Sequence, residues 1–186
     1  SISSDGIGNI YYAINTPTDE GLATDGAYQT SGVGNSALLV KFSPEGERLW
    51  STYVTGEGDE SNSVVEADFE GNVYLSARTS SETEIATEGA FQMENIPPQV
   101  FPVGSSAMIM KFSPDGERIW GTYFGGLYSK DIVNIESVES GILFSYGNQF
   151  NEDQIFGENP FQSELMGSRD VFITKFSDEG EMIWST

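Results

Sequence analysis

Apolar residues in this chain come in short runs separated by polar, glycine-rich stretches. The purest runs are Ala37-Leu-Leu-Val40, Ala107-Met-Ile-Met110 and Val171-Phe-Ile-Thr174. Consecutive strand side chains point to opposite faces, so a run that is apolar at nearly every position predicts a strand covered on both sides. Ser43-Pro-Glu-Gly46 and Ser113-Pro-Asp-Gly116 follow the first two runs, with Ser first, Pro second and Gly fourth, an order that suits a type I turn. Leu49-Trp-Ser-Thr-Tyr53 and Ile119-Trp-Gly-Thr-Tyr123 then predict the next strand. No segment sustains apolar positions at the helical period with capping residues at its ends.

The pattern repeats. Lys41-Phe-Ser-Pro-Glu-Gly-Glu-Arg-Leu-Trp50, Lys111-Phe-Ser-Pro-Asp-Gly-Glu-Arg-Ile-Trp120 and Lys175-Phe-Ser-Asp-Glu-Gly-Glu-Met-Ile-Trp184 are three versions of one segment. Gly8-Asn-Ile-Tyr-Tyr12 corresponds to Gly71-Asn-Val-Tyr-Leu75 and, more loosely, to Gly141-Ile-Leu-Phe-Ser145. Gly26-Ala-Tyr-Gln29 corresponds to Gly89-Ala-Phe-Gln92 and to Asn159-Pro-Phe-Gln162. Each unit therefore reads as four short strands, with a long loop between the second and third.

Four-stranded units of similar sequence, covered on both faces, predict an all-β fold. The expected form is a β-propeller array of three consecutive four-stranded antiparallel blades, approximately 1–55, 56–125 and 126–186. A solenoid is the structural rival. A transmembrane barrel fits poorly, because its strands alternate apolar and polar residues. Propellers have about four to eight blades, so three should leave an open wedge with two uncovered faces. Those faces would meet further blades of the same parent chain or a second molecule.

These motifs carry a family resemblance. Lys-Phe-Ser-Pro-Asp-Gly, Trp-Ser-Thr-Tyr, Gly56-Glu-Gly-Asp-Glu60, the Gly-Asn-Val-Tyr strand and Thr24-Asp-Gly-Ala-Tyr-Gln-Thr30 together resemble the SBBP class of bacterial β-propeller repeats, over nearly the whole chain. The third copy departs from the pattern at Pro160, Asp178 and Met182. The resemblance implies a large secreted or surface protein of Bacteroidetes-like bacteria, often exported by type IX secretion. It implies structural motif residues and no catalytic ones.

Charge narrows the partners. The 186 residues include 29 acidic and 8 basic ones, for a formal net charge of -21. That balance argues against nucleic acid and against an anionic membrane surface. No apolar run approaches the roughly 20 residues of a membrane helix, so direct membrane insertion is not expected. Ser1 to Asp5 align with Val64 to Asp68 rather than with a basic leader. The expectation is a piece of a longer array, with any targeting signal outside it and an extracellular or outer-surface location.

Candidate chemistry is sparse. The chain has no His and no Cys, which removes the Ser-His and Cys-His constellations and thiolate or imidazole metal sites. Paired carboxylates for glycoside hydrolysis remain available, without a signal that selects a pair. Asp68, Glu70 and Asn72 alternate like the start of a calcium loop, yet Val73 and Thr79 stand where that loop needs Gly and Glu. A plain turn explains them better, so no cofactor is expected, with calcium the weak alternative. Lys41, Lys111 and Lys175 read as stems packed on the sheet with amines reaching neighbouring carboxylates. Trp50, Trp120 and Trp184 read as packing between units, and Tyr28, Phe91 and Phe161 as pins holding the long loops.

The function expected is a non-enzymatic scaffold or protein-binding module of a larger adhesin-like or outer-membrane-associated protein. A carbohydrate-active enzyme and a calcium- or glycan-binding lectin-like module are the alternatives. One segment stands out as a partner site. The second unit's long loop holds Ile96, Pro97, Pro98, Gln99, Val100, Phe101 and Pro102, an apolar, proline-stiffened stretch in an acidic chain. Ile96, Pro97, Pro98, Val100 and Phe101 are the candidate contact residues. The competing expectation is that they cover the edge of a neighbouring unit.

Overall fold

The computed structural model describes residues 1–96, 106–125, 131–149, 160–161 and 169–186, with the backbone alone at 131–133, 148–149 and 169–170. The described elements are all strands, and among the described residues there is no helix. They are β1 (Ile2–Ser4), β2 (Ile10–Thr16), β3 (Ser36–Phe42), β4 (Arg48–Val54), β5 (Glu60–Ala67) and β6 (Val73–Thr79). β7 (Ser106–Phe112), β8 (Arg118–Phe124), β9 (Asp131–Val138), β10 (Gly141–Gln149), β11 (Arg169–Phe176) and β12 (Met182–Ser185) complete the set. They form three four-stranded antiparallel sheets, each a simple meander in chain order.

The turns form as the side chains dictate. In β3–β4 the amide of Gly46 donates to the carbonyl of Ser43 at 3.0 Å, and Gly46 takes a φ of 88°. Gly116 and Gly180 repeat this at the β7–β8 and β11–β12 turns, with φ values of 87° and 84°. Asp5 and Asp68 close the β1–β2 and β5–β6 connections by accepting backbone amides two and four residues on. The second carboxylate oxygen of each takes the amide side chain of Asn9 or Asn72 at 2.7 Å. Asp68 thus serves its own turn, as a short polar residue commonly does.

Register places equivalent residues in rows. Tyr11, Lys41 and Trp50 lie opposite one another across the first sheet, and Tyr74, Lys111 and Trp120 across the second. In the third sheet the row is Leu143, Lys175 and Trp184. Ile142 pairs with Phe176 as Ile10 pairs with Phe42 and Val73 with Phe112. The loose sequence match of Gly141 with Gly8 and Gly71 is therefore displaced by one residue. Ser140, with φ 62°, occupies the left-handed position that glycine fills in the other two sheets. The side-chain alternation of a strand leaves no choice, because a slip of one residue would turn the apolar set outward.

The sheets stack in chain order, and the core lies in two seams between them. One seam joins Tyr11, Ala13, Ala37, Leu39 and Val54 to Val65, Leu75, Met108, Met110 and Phe112. The other joins Tyr74, Ala107, Ile109, Trp120 and Phe124 to Ile135, Ile142, Phe144, Phe172 and Phe176. The outer face of the first sheet keeps a smaller cluster of Leu38, Val40 and Tyr53 under the loop residues Leu22 and Ala23. β11 departs from the expectation of cover on both faces. Phe172 and Thr174 are buried, but Val171 and Ile173 are exposed.

The long loops are anchored through glutamine. The side-chain amide of Gln29 donates to the Thr55 carbonyl and its oxygen accepts the Thr55 amide, both at 2.9 Å. Gln92 repeats half of this in the second unit, where its side-chain oxygen accepts the Gly125 amide at 3.1 Å while its amide donates to the Glu94 carbonyl at 2.8 Å.

Candidate functional site

One polar arrangement, a clamp of lysine and tryptophan on a turn carbonyl, occurs twice, once in each seam. The amine of Lys41 and the indole N–H of Trp50 both donate to the carbonyl of Pro114, each at 2.9 Å. Pro114 is the second residue of the following sheet's β7–β8 turn. In the next seam the amine of Lys111 and the indole N–H of Trp120 donate to the carbonyl of Asp178, at 3.2 and 2.8 Å. Asp178 holds the same place in the β11–β12 turn.

Each clamp is backed by a tyrosine. Lys41 lies 5.2 Å from the ring centre of Tyr11, and Lys111 lies 5.1 Å from that of Tyr74. A cation over an aromatic face is attracted by the ring quadrupole, which supports a nearly buried ammonium. The single proton of the Tyr11 hydroxyl is shared between Asp5 Oδ2 at 3.0 Å and the Gly71 carbonyl at 3.2 Å. The Tyr74 hydroxyl donates to Asp178 Oδ1 at 2.8 Å. Burial, together with the adjoining carboxylate, raises the pKa of both phenols.

The tryptophan rings also cover glycines. A Cβ at Gly116 would stand 3.1 Å from the Trp50 ring, and one at Gly180 would stand 2.9 Å from that of Trp120. The turn glycine is thus required twice over, by its backbone conformation and by the ring above it. Tyr28 and Phe91 extend the same contact. Tyr28 meets the edge of Phe112 at 5.8 Å, and Phe91 meets Phe176 at 5.7 Å. Both aromatics therefore reach the following sheet, and Phe91 also stacks on Phe124 of its own sheet at 6.1 Å. Phe161 is 96% exposed.

The expectation that each lysine amine reaches a neighbouring carboxylate holds at Lys111 and not at Lys41 or Lys175. The constant acceptor of the amine is a turn carbonyl, and a carboxylate joins only where Asp178 replaces proline, with Oδ1 3.1 Å from Lys111. Partial burial pushes the Asp178 carboxyl up, and hydrogen bonds from Tyr74 and Lys111 outweigh it, leaving the pKa lowered. Lys175 turns back to its own sheet and donates to the Glu139 carbonyl at 3.2 Å. Trp184, expected between units, is 37% exposed.

Beside the second clamp an open groove runs between the second and third sheets. Asp68, Glu70, Asn72, Tyr74, Ser137, Glu139 and Asp178 line it. Its carboxylates Asp68 and Asp178 are engaged by the chain itself.

A second feature escaped sequence reasoning. Glu60, in the acidic stretch Gly56–Glu60, is fully buried. Its carboxylate accepts hydroxyl hydrogen bonds from Thr55, Thr79 (2.9 Å) and Ser81 (2.8 Å). Its backbone carbonyl accepts the side-chain amides of Asn15 and Asn35 from the first sheet's side, at 3.1 and 2.7 Å. Burial raises its pKa against the pull of those hydroxyls. The signal was faint, because one glutamate among acidic neighbours gives no hint of which side chain turns inward. Glu57 points outward and binds the Glu82 amide and the Thr83 hydroxyl.

Of the candidate partner-contact residues, Ile96 is 44% exposed, and its carbonyl accepts the Ser106 hydroxyl at 3.3 Å. Pro97, Pro98, Val100 and Phe101 lie outside the described residues. Among the described residues no group of three or more acidic side chains is placed to hold a metal ion. Comparison with known proteins gives no matching family model and no matching curated relative.

Proposed function

We propose that this chain is a non-enzymatic β-propeller scaffold or protein-binding module, built from SBBP-type repeats and belonging to a larger secreted or cell-surface bacterial protein of the adhesin-like or outer-membrane-associated kind. The observation that carries the reading is the duplicated clamp. Lys, Trp and the turn glycine recur in all three units and Tyr in the first two, and at both seams these residues join one sheet to the next. A repeat whose constant residues serve stacking leaves its variable loops to meet partners. Ile96-Pro-Pro-Gln-Val-Phe101 is the loop segment nominated for that contact. The fold argument alone would not reach function, which lives in sites carried on folds.

A glycan- or calcium-binding module is the second reading, and the groove lined by Asp68, Glu70, Glu139 and Asp178 favours it. A glycan-binding screen with and without calcium, followed by turnover assays on glycoside substrates, separates the readings. Neither binding nor turnover is expected from the scaffold. Calcium-dependent glycan capture would transfer the assignment to the lectin-like module, and reproducible hydrolysis would defeat the scaffold outright.

A further inference from the structure

The first hairpin of each sheet closes differently in the third unit. Residues 5–9 lie between the paired Ser4 and Ile10, and residues 68–72 between the paired Ala67 and Val73. In the third sheet only Glu139 and Ser140 lie between the paired Val138 and Gly141. The tighter turn changes how its seam closes. At the first seam the Gly6 amide donates to the Phe69 carbonyl at 3.3 Å, and the Phe69 ring lies over Gly6, where a Cβ would stand 2.5 Å from it. The Gly71 carbonyl meets the Tyr11 hydroxyl at 3.2 Å. The second hairpin thus caps the first.

The second seam has no such cap. Tyr74 stands where Tyr11 stands, but its hydroxyl turns to Asp178, and among the described residues no backbone hydrogen bond joins residues 68–72 to the third hairpin. What remains is the groove between the second and third sheets, about 430 Å³ in volume. Both walls belong to this chain, so the groove forms without any further repeat. Phe69, 80% exposed, and Val138 give it apolar surface. Its carboxylates are Asp68, Glu70, Glu139 and Asp178, against the single ammonium of Lys111. The exposed side chains of Glu70 and Glu139 accept no hydrogen bond and form no ion pair among the described residues.

We propose that this groove receives an arginine side chain from a basic segment of a partner protein. The guanidinium lies against the Phe69 ring and turns its N–H groups to Glu70 and Glu139. A planar, forked cation both stacks on an aromatic face and matches carboxylate oxygens, which an ammonium does less well. Charge selects this occupant. A neutral glycan gains nothing from surplus negative charge, and a calcium ion needs several converging carboxylates. Among the described residues no three acidic side chains converge in that way. The chain's net charge of -21 also draws a basic segment towards it. The proposal rests on the protein-binding reading and names the chemistry of the partner.

Amide NMR shifts of the whole 186-residue chain, titrated with a short capped Gly-Arg-Gly peptide, test it. Saturable shifts should centre on the amides of Phe69, Glu70, Glu139 and Ser140. The lysine peptide should bind more weakly, and the neutral citrulline peptide should not bind. Glu70→Gln and Glu139→Gln should each weaken the arginine peptide by about threefold, as loss of an exposed ion pair does. Phe69→Ala should weaken it by about as much, through loss of the ring. Glu20→Gln and Asp25→Asn remove the same charge from exposed positions elsewhere and should change nothing. Thermal melts check folding, and Phe69→Leu replaces Phe69→Ala if that variant fails. No saturable shift, shifts spread over the acidic surface, or equal binding of citrulline overturns the proposal. Shifts at these amides with calcium chloride or a neutral oligosaccharide, and none with the peptide, overturn it in favour of a metal or a sugar. Failure here with a negative glycan screen leaves the protein-binding reading standing, whereas glycan capture or turnover removes both.

Discussion

The indole N–H of Trp120 donates to the carbonyl of Asp178 across the seam between the second and third sheets, at 2.8 Å. The two residues are far apart in the chain, and the bond joins a strand to the turn of the following unit. Lys111 shares that acceptor, and Lys41 and Trp50 repeat the geometry on Pro114. A carbonyl has two lone pairs, so one turn oxygen can satisfy both nearly buried donors.

Trp120→Phe keeps most of the ring and removes the donor. The expected loss is about 1 kcal/mol, the net worth of one hydrogen bond, with Trp50→Phe close behind. Trp184→Phe serves as the internal control, because its ring is part-exposed and stability of the isolated chain should hardly move. Urea unfolding midpoints for the three variants check the ranking. Equal losses at all three positions would remove the clamp from the account of stability.

The turn glycines separate backbone strain from packing. Gly46→Ala meets open space at positive φ, so it should lose roughly 1 kcal/mol from backbone strain alone. Gly116→Ala and Gly180→Ala carry the same strain and in addition press on the Trp50 and Trp120 rings. Both should lose more than Gly46→Ala, and thermal melting of the three variants side by side reads the difference.

Glu60 is a buried anchor with a pH signature. Glu60→Ala leaves three hydroxyls without their acceptor and should lose on the order of 3 kcal/mol. The folded carboxyl titrates above its ordinary value of 4.5 because of burial. Between 4.5 and the raised value the folded chain keeps a proton that the unfolded chain releases. Stability from this group is therefore highest below 4.5 and declines as pH rises through that window. Glu60→Gln cannot titrate, so the wild type's stability relative to it should fall between acid and neutral pH. Parallel denaturant titrations at the two conditions measure that change.

Asp178 should behave in the opposite sense. Its folded pKa is lowered from 3.8, so its contribution is present above that value and is lost as pH falls through the folded pKa. The side chain is 45% exposed, and solvent screening holds the expected effect of Asp178→Asn to about 1 kcal/mol or less at neutral pH. The gap between wild type and variant should close on acidification. A gap that widens instead would mean that the Tyr74 and Lys111 contacts do not favour the ionised form.

Sequence alone determined the strands, the turns and their grouping. Ala37–Val40 and Ala107–Met110 read as buried strands because side-chain alternation makes an unbroken apolar run untenable on a one-sided sheet. Ser43 to Gly46 read as a turn because proline and glycine restrict the backbone locally. Three four-stranded antiparallel sheets followed from the repetition. What only the tertiary structure decided lies between units. The destination of the lysine and tryptophan N–H groups, the one-residue shift at Ser140 and the inward turn of Glu60 depend on residues distant in the chain. The same holds for Val171, which sits in a run as apolar as its counterparts yet is exposed. Local pattern records how apolar a face is, and burial requires another surface against it, which no local pattern can supply.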